Sequence, residues 1–427
     1  MLSQEIYEAL QQIPVVDIHS HLSPTTMAAS DPGKILFYHM LRYPMRAAGV
    51  PEERLWRPDG DPKGDQVSYD CLIDAWPAIS STSFGWALTT ILRDLYGFNE
   101  PLSRESLARF EERFKEHTGN PNWGTSVLNR AGIADILTNK TAENTAGALT
   151  DAPPRVHNAL VRGFYGGTRE YNSICLHLEQ VKKQLGAEIT SYQALKEAVN
   201  RYYEGYNWQG RHALIARVCS LADFTPCESG VIDHALASVH RGESIDEHQH
   251  SLLDAAFIRC ICEAARDNTG VLQLVYGTQY LTPNYPHPVQ RAGATFASTL
   301  GHLVGEFPDL HFVILNGYEP DEPLLCSLCL GYGNVSLGGF WWQTFYPSVT
   351  HAAWHRRLDM VPTSRLMGFF SDAHCVDWIY ARIRMAQRVL SQVLAERIER
   401  KFYSFDQAID VARAIMNGTP KRLLLEE

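Results

Sequence analysis

Short runs of apolar, largely β-branched residues recur along the chain, each bounded by glycine or polar positions. They lie at Val15 to Ile18, Asp135 to Thr138, Val156 to Val161, Ala213 to Ser220, Val271 to Tyr276, His311 to Leu315, Asn334 to Leu337 and Leu366 to Phe370. Runs of this kind predict strands buried on both faces. Between most of them, apolar residues fall three and four apart, at Tyr192 to Tyr206, Ile245 to Arg266, Gly293 to Glu306 and Asp377 to Arg400, which predicts amphipathic helices. Strand alternating with helix implies parallel strands, and about eight such units imply an α/β fold closed into a (β/α)8 TIM barrel. The first unit breaks this rhythm. The stretch from Ile18 to Asp135 is far longer than a normal connection and holds helical patterns at Ile35 to Ala48, Gly85 to Tyr96 and Arg104 to His117. It predicts a helical insertion, residues 22–130, over the C-terminal face of a single elaborated domain spanning 1–427, with the Pro/Gly/Asp-rich Pro51 to Gly64 as its loop.

Composition narrows the classes of function. With 45% hydrophobic and 20% charged residues, the 427-residue chain has the material for a packed core. Its 38 basic and 48 acidic residues leave a formal charge of -10 without any basic run, which argues against nucleic acid and anionic membrane as partners. The start, Met1-Leu2-Ser3-Gln4-Glu5, lacks a secretory pattern, and no stretch reaches the roughly 18 consecutive apolar residues of a membrane span, so a cytoplasmic protein is expected. Nine scattered cysteines do not suggest a disulfide framework. Cys326 and Cys329 have the spacing of a zinc or redox pair but lie in an apolar run, and they are expected to pack on a helix, as are Cys260 and Cys262.

The strongest chemical signal is Val15-Val16-Asp17-Ile18-His19-Ser20-His21-Leu22. A strand alternates its side chains with period two, so His19 and His21 point the same way, at the end of the first strand where barrels carry their sites. Two imidazoles so placed can share one divalent metal, although a structural pair would read alike. Asp372 ends the last apolar run, and closing the barrel sets that strand beside the first, which brings Asp372 to the two histidines. Two imidazoles and a carboxylate suit Zn²⁺ or a similar ion with an open position. Taken alone, Asp372 would serve equally well as the cap of the helix that follows.

These residues resemble the metal-dependent amidohydrolase superfamily, whose members share a distorted (β/α)8 barrel. Phe37-Tyr38-His39-Met40-Leu41, Leu137-Thr138-Asn139, Gly338-Gly339-Phe340-Trp341-Trp342 and Phe370-Ser371-Asp372-Ala373 resemble, in that order, the motifs of its uronate isomerase branch. The resemblance implies a hexuronate, such as glucuronate or fructuronate, as the small-molecule substrate, and aldose–ketose interconversion as the reaction. It also implies one divalent metal ion, with zinc the first choice, because the ends of the middle strands read Ser220-Leu221-Ala222, Gly277-Thr278-Gln279 and Asn316-Gly317-Tyr318, without the Lys and His of two-metal relatives. A homo-oligomer is the expected assembly.

Moving a proton between C2 and C1 of an aldose needs a base, an electrophile on the oxygens and an anchor for the carboxylate. Asp372, or a metal-bound water that it contacts, is the candidate base, and His39 matches a family position that faces the substrate. Arg162 and His374 are candidate carboxylate anchors, Arg162 by its fork of donors. Trp341 and Trp342 are candidates for stacking on the sugar, though aromatic pairs also pack in cores, and His287 in its Pro-rich loop is a further candidate. Three positions depart from the family pattern: His374 stands where the family has Arg, Met40 where it often has Tyr, and Gly163-Phe164 where an acid follows Arg162. They leave open a different substrate or reaction, the alternative being a mononuclear metal-dependent hydrolase or decarboxylase of the same superfamily. A catalytically silent barrel that only binds a sugar acid is a third reading.

Overall fold

The apolar runs become parallel strands in the computed structural model, which describes residues 2–55, 66–139, 155–157, 160–162, 178–179, 182–183, 186–206, 208–217, 222–280, 288–290, 295–341 and 345–426. The strands are β1 (Val15–Ser20), β2 (Ile133–Thr138), β3 (Val156–His157), β4 (Leu160–Arg162), β5 (Ala213–Arg217), β6 (Val271–Tyr276), β7 (Thr278–Tyr280), β8 (Pro288–Gln290), β9 (His311–Asn316) and β10 (Val335–Phe340). Parallel pairing runs β1-β2-β3 in one sheet and β10-β9-β6-β5-β4 in the other, while β7 and β8 form a separate antiparallel hairpin. Because β3 and β4 belong to one run of the chain, each pairing a different neighbour, the two sheets are consecutive arcs of a ring.

The ring closes through residues 366–373. Met367 N–H donates to Leu337 O on β10 at 2.9 Å, and Ile18 N–H on β1 donates to Phe369 O at 3.3 Å. Beyond that point Asp372 N–H donates to His19 O at 3.1 Å and His21 N–H to Ala373 O at 3.0 Å. The last apolar run therefore occupies the eighth position of a distorted barrel, but as extended backbone with a single bridge, Leu337 to Leu366, instead of the regular strand predicted. Gly368 supplies the reason. Its N–H donates out of the ring to Ile415 O at 2.7 Å, and a Cβ there would lie 2.7 Å from Met416 Sδ, so this segment is tied to the π-helical turn Ala414–Gly418. Gly338 and Gly339 of β10 admit close neighbours in the same way, since added Cβ atoms would meet Leu315 Cδ2 at 2.2 Å and Phe370 Cδ1 at 2.6 Å.

Helices follow the strands as patterned, with ends set by local chemistry. The helix Glu247–Asn268 starts at a capping box between Asp246 and Gln249. Cys260, Cys262, Cys326 and Cys329 are buried on helices, as expected of packing residues. Between β1 and β2 lie helices Gly33–Leu36, His39–Ala47, Glu52–Leu55, Gln66–Ile79, Ser83–Tyr96, Arg104–Thr118 and Trp123–Ala131. The single helix expected over Ile35 to Ala48 is broken at Tyr38, whose ψ of 140° is extended, and a second helix starts at His39. The helices Ser83–Tyr96 and Trp123–Ala131 pack on Val376–Glu399, the long helix that begins just past Asp372.

Candidate metal centre at the barrel mouth

His19 lies in β1 and His21 one residue past its end, two positions apart, and the 366–373 segment meets both there. His21 Nε2 lies 3.0 Å and His19 Nε2 3.8 Å from Asp372 Oδ1. One ligand atom from each residue lies within 4.8 Å of the others, a spacing that a single ion can span. His19 and Asp372 are buried, and His21 is partly exposed toward the mouth.

The far side of each ring decides its chemistry. His19 Nδ1 lies 2.9 Å from Gln273 Oε1, and Gln273 Nε2 donates to Ile18 O at 2.8 Å, so the amide must present its oxygen to His19. His21 Nδ1 pairs in the same way with Asn139 Oδ1 at 2.8 Å. Each imidazole thus donates from Nδ1, and in its neutral form turns an Nε2 lone pair toward the carboxylate. Two acceptor nitrogens and a carboxylate oxygen facing one another repel unless a cation or a proton lies among them. The donor set therefore fits a divalent ion bound by two neutral imidazoles and one carboxylate.

Asp372 is held from several directions. Its φ of 52° is left-handed, a conformation that Asp tolerates better than most residues and that often marks functional sites. Tyr38 Oη donates to its carbonyl at 3.1 Å. Burial alone would raise its carboxyl pKa, but His21, hydrogen-bonded to it when protonated, and the electrostatic pull of the His21, His19 and His39 imidazoles in their protonated forms lower it below the usual carboxylate range. Asp17, fully buried beneath the histidines, accepts from Ser371 N–H at 2.9 Å, which fixes the bend that delivers Asp372. Burial pushes the Asp17 carboxyl up to about 7, against the hydrogen bonds of Ser371 and His19 and the charge of Arg382. Arg382 is buried behind the site over the ring of Phe345, and its desolvation brings its pKa down to about 10.

The other predicted residues divide. His374 is exposed and stacks on His21, ring centres 4.9 Å apart, and His39 meets His374 edge-on at 5.9 Å, so both imidazoles border the centre. Desolvation pushes His39 down to about 3, with Asp372 opposing and Arg42 and His21 reinforcing it, so its ring is neutral. Trp341 is 5% exposed and packs against Gly317, where a Cβ would lie 2.9 Å from its Cε3. Arg162 ends β4, and its side chain lies outside the described residues, as do Trp342 and His287. Asn316, at the end of β9, gives its amide to Glu322, which pairs with the buried Arg357. Sequence reasoning missed Gln273, whose signal was a lone amide inside the apolar run Val271 to Tyr276, and the tie from Asp17 to Ser371.

No model of a known protein family matches the chain. A uronate isomerase of Thermotoga maritima is 19% identical over 98% of this chain and 96% of its own. Among solved structures, the glucuronate isomerase of Caulobacter crescentus matches with a TM-score of 0.81 at 16% identity, over 99% of this chain and 93% of that one. A Lactobacillus casei protein described as a metal-dependent hydrolase matches with a TM-score of 0.55 at 13% identity, over 98% and 96%. From end to end, the chain has the fold of the uronate isomerases and resembles them in sequence.

Proposed function

We propose that this protein interconverts the aldose and ketose forms of a hexuronate at a single divalent ion, zinc by preference, held by His19, His21 and Asp372. The observation that carries the reading is the pinned orientation of both imidazoles, each with Nδ1 on an amide oxygen and Nε2 turned to Asp372. A bound ion would polarise the carbonyl oxygen together with the hydroxyl oxygen on the next carbon and so acidify the C–H alpha to the carbonyl. In the reaction C2 loses its proton as O1 gains one, giving the enediol, and O2 then loses its proton as C1 gains one, so the carbon skeleton and the acid group are unchanged. Asp372, ionised and fixed at its backbone by Tyr38 and His19, would carry the proton on a carboxylate oxygen. The neutral His39 would donate to or accept from a sugar hydroxyl, and His374, with Arg162 at the end of β4, would anchor the substrate carboxylate. Trp341 would shape the mouth from within its wall, with Trp342 and His287 as further contacts. Residues 1–427 would form one elaborated domain with 22–130 as the insertion over the mouth, and a homo-oligomer as the assembly.

A second reading, hydrolysis or decarboxylation of a related acid at the same ion, is favoured by His374, Met40 and Phe164 standing where the family pattern differs. Proton NMR of metal-loaded protein with a panel of hexuronates and lactones separates the two. Ketose formation with the carboxylate intact, and deuterium from D2O at the carbon that receives the proton, supports isomerisation through solvent exchange. A ketose without label means transfer by one shielded base. New acid and alcohol, or carbon dioxide, with no ketose would replace the first reading by the second.

A further inference from the structure

A second histidine–carboxylate cluster lies away from the barrel mouth. His351 and His355 are four residues apart on the helix Pro347–Met360, so they share one face, and Glu396 reaches them from the neighbouring helix Val376–Glu399. His351 Nε2 is 2.8 Å from Glu396 Oε1, and His355 Nε2 is 3.0 Å from Glu396 Oε2. The two imidazoles are 5.0 Å apart at their centres, and the ligand atoms of all three residues lie within 4.8 Å of one another. At bond lengths near 2.0 Å, tetrahedral zinc spaces its ligand atoms by about 3.3 Å, so small side-chain rotations would admit an ion. The side chains are 31%, 22% and 34% exposed, which leaves water able to complete the coordination.

Position separates this cluster from the reaction. Glu396 lies twenty residues along its helix from Val376, about 30 Å from the end beside Asp372. No residue of the cluster takes part in the centre described above. The helices already touch through Arg397, which donates to Asp359 Oδ1 at 2.8 Å, and Arg400 approaches Glu396 at 3.7 Å from an exposed position.

We propose that His351, His355 and Glu396 form a second divalent-metal site, of the zinc type, that clips the helix Pro347–Met360 to the helix Val376–Glu399. The site is independent of the isomerase reading. It is the weaker of the two, because its imidazoles stand partly in solvent, without the buried amides that fix His19 and His21.

Zinc titration of the full-length, chelator-treated protein tests this. The parent should take up two equivalents, the second at least tenfold more weakly, and zinc beyond the first should raise the melting temperature. His351→Ala with His355→Ala should bind one equivalent and lose that added rise. Glu396→Gln keeps hydrogen bonds to both imidazoles while removing the charge, so it should weaken the second equivalent in a chain that still folds. His21→Ala should instead lose the tight equivalent and keep the weak one. A double-alanine variant that binds as many equivalents as the parent overturns the second site. An equivalent that is lost in the double-alanine variant, while His21→Ala loses none, supports this site and removes the triad at the mouth.

Discussion

At the barrel mouth one imidazole sits on a buried strand and the other just past its end, each with Nδ1 committed to an amide, and both meet a carboxylate whose backbone is held in a left-handed turn. On the outer helices two imidazoles and a carboxylate make shorter contacts, 2.8 and 3.0 Å against 3.0 and 3.8 Å at the mouth, but they stand partly exposed on side chains that can rotate. Ligand type and spacing are nearly the same in the two places. What differs is preorganisation: at the mouth the protein fixes tautomer, ring plane and carboxylate before anything binds, whereas on the helices those costs fall on the binding step.

The largest expected contrast comes from deleting one imidazole in each place. His21→Ala should abolish turnover together with the tightly bound ion, while His351→Ala should leave turnover within twofold of the parent. Steady-state rates and metal content of the two variants, measured side by side, check this. A smaller effect is expected from the residues behind the ligands. Gln273→Leu leaves His19 in place but removes the acceptor that fixes its tautomer, and a fall of about 10- to 100-fold in metal affinity or turnover should follow. An unchanged Gln273→Leu enzyme would mean that the preorganisation described here is dispensable.

His311, in neither cluster, shows how a ring without a carboxylate behaves. His311 Nε2 pairs with Ser336 Oγ at 2.9 Å at the start of β9, and burial, helped by the charges of Arg365 and Arg422, lowers its pKa to about 4. The unfolded chain binds a proton there near pH 6.5, so stability should fall as pH drops from about 6.5 toward 4. Denaturant melts across that range should show the loss, and His311→Gln should reduce it. The smallest effect belongs to the outer cluster without added metal. There the double-alanine variant of His351 and His355 should unfold within about 1 kcal/mol of the parent, as partly exposed ion pairs usually do.

The strands were legible because a barrel strand is buried on both faces and reads as an unbroken apolar run. The convergence of His19 and His21 with Asp372 followed from period two and ring closure. The interruption at Tyr38 was hidden, since Phe37-Tyr38 suits a continuous helix and the partners of Tyr38, Asp372 O and the Trp378 ring, lie far away in sequence. Gln273 could be seen as odd but not placed, because its partner lies 254 residues away in sequence. The eighth run was found, but its departure from the ladder at Gly368 depends on Ile415, which no local pattern reveals. His351-x-x-x-His355 was present at helical spacing, yet Glu396 completes it only through tertiary packing.

The central claim, that one ion between His19, His21 and Asp372 supports turnover, is tested most directly by adding zinc back to chelator-treated protein while following uronate isomerisation. The rate should rise in proportion to the first equivalent and stay level through the second. Turnover that survives full chelation, or that rises only with the second equivalent, would contradict it.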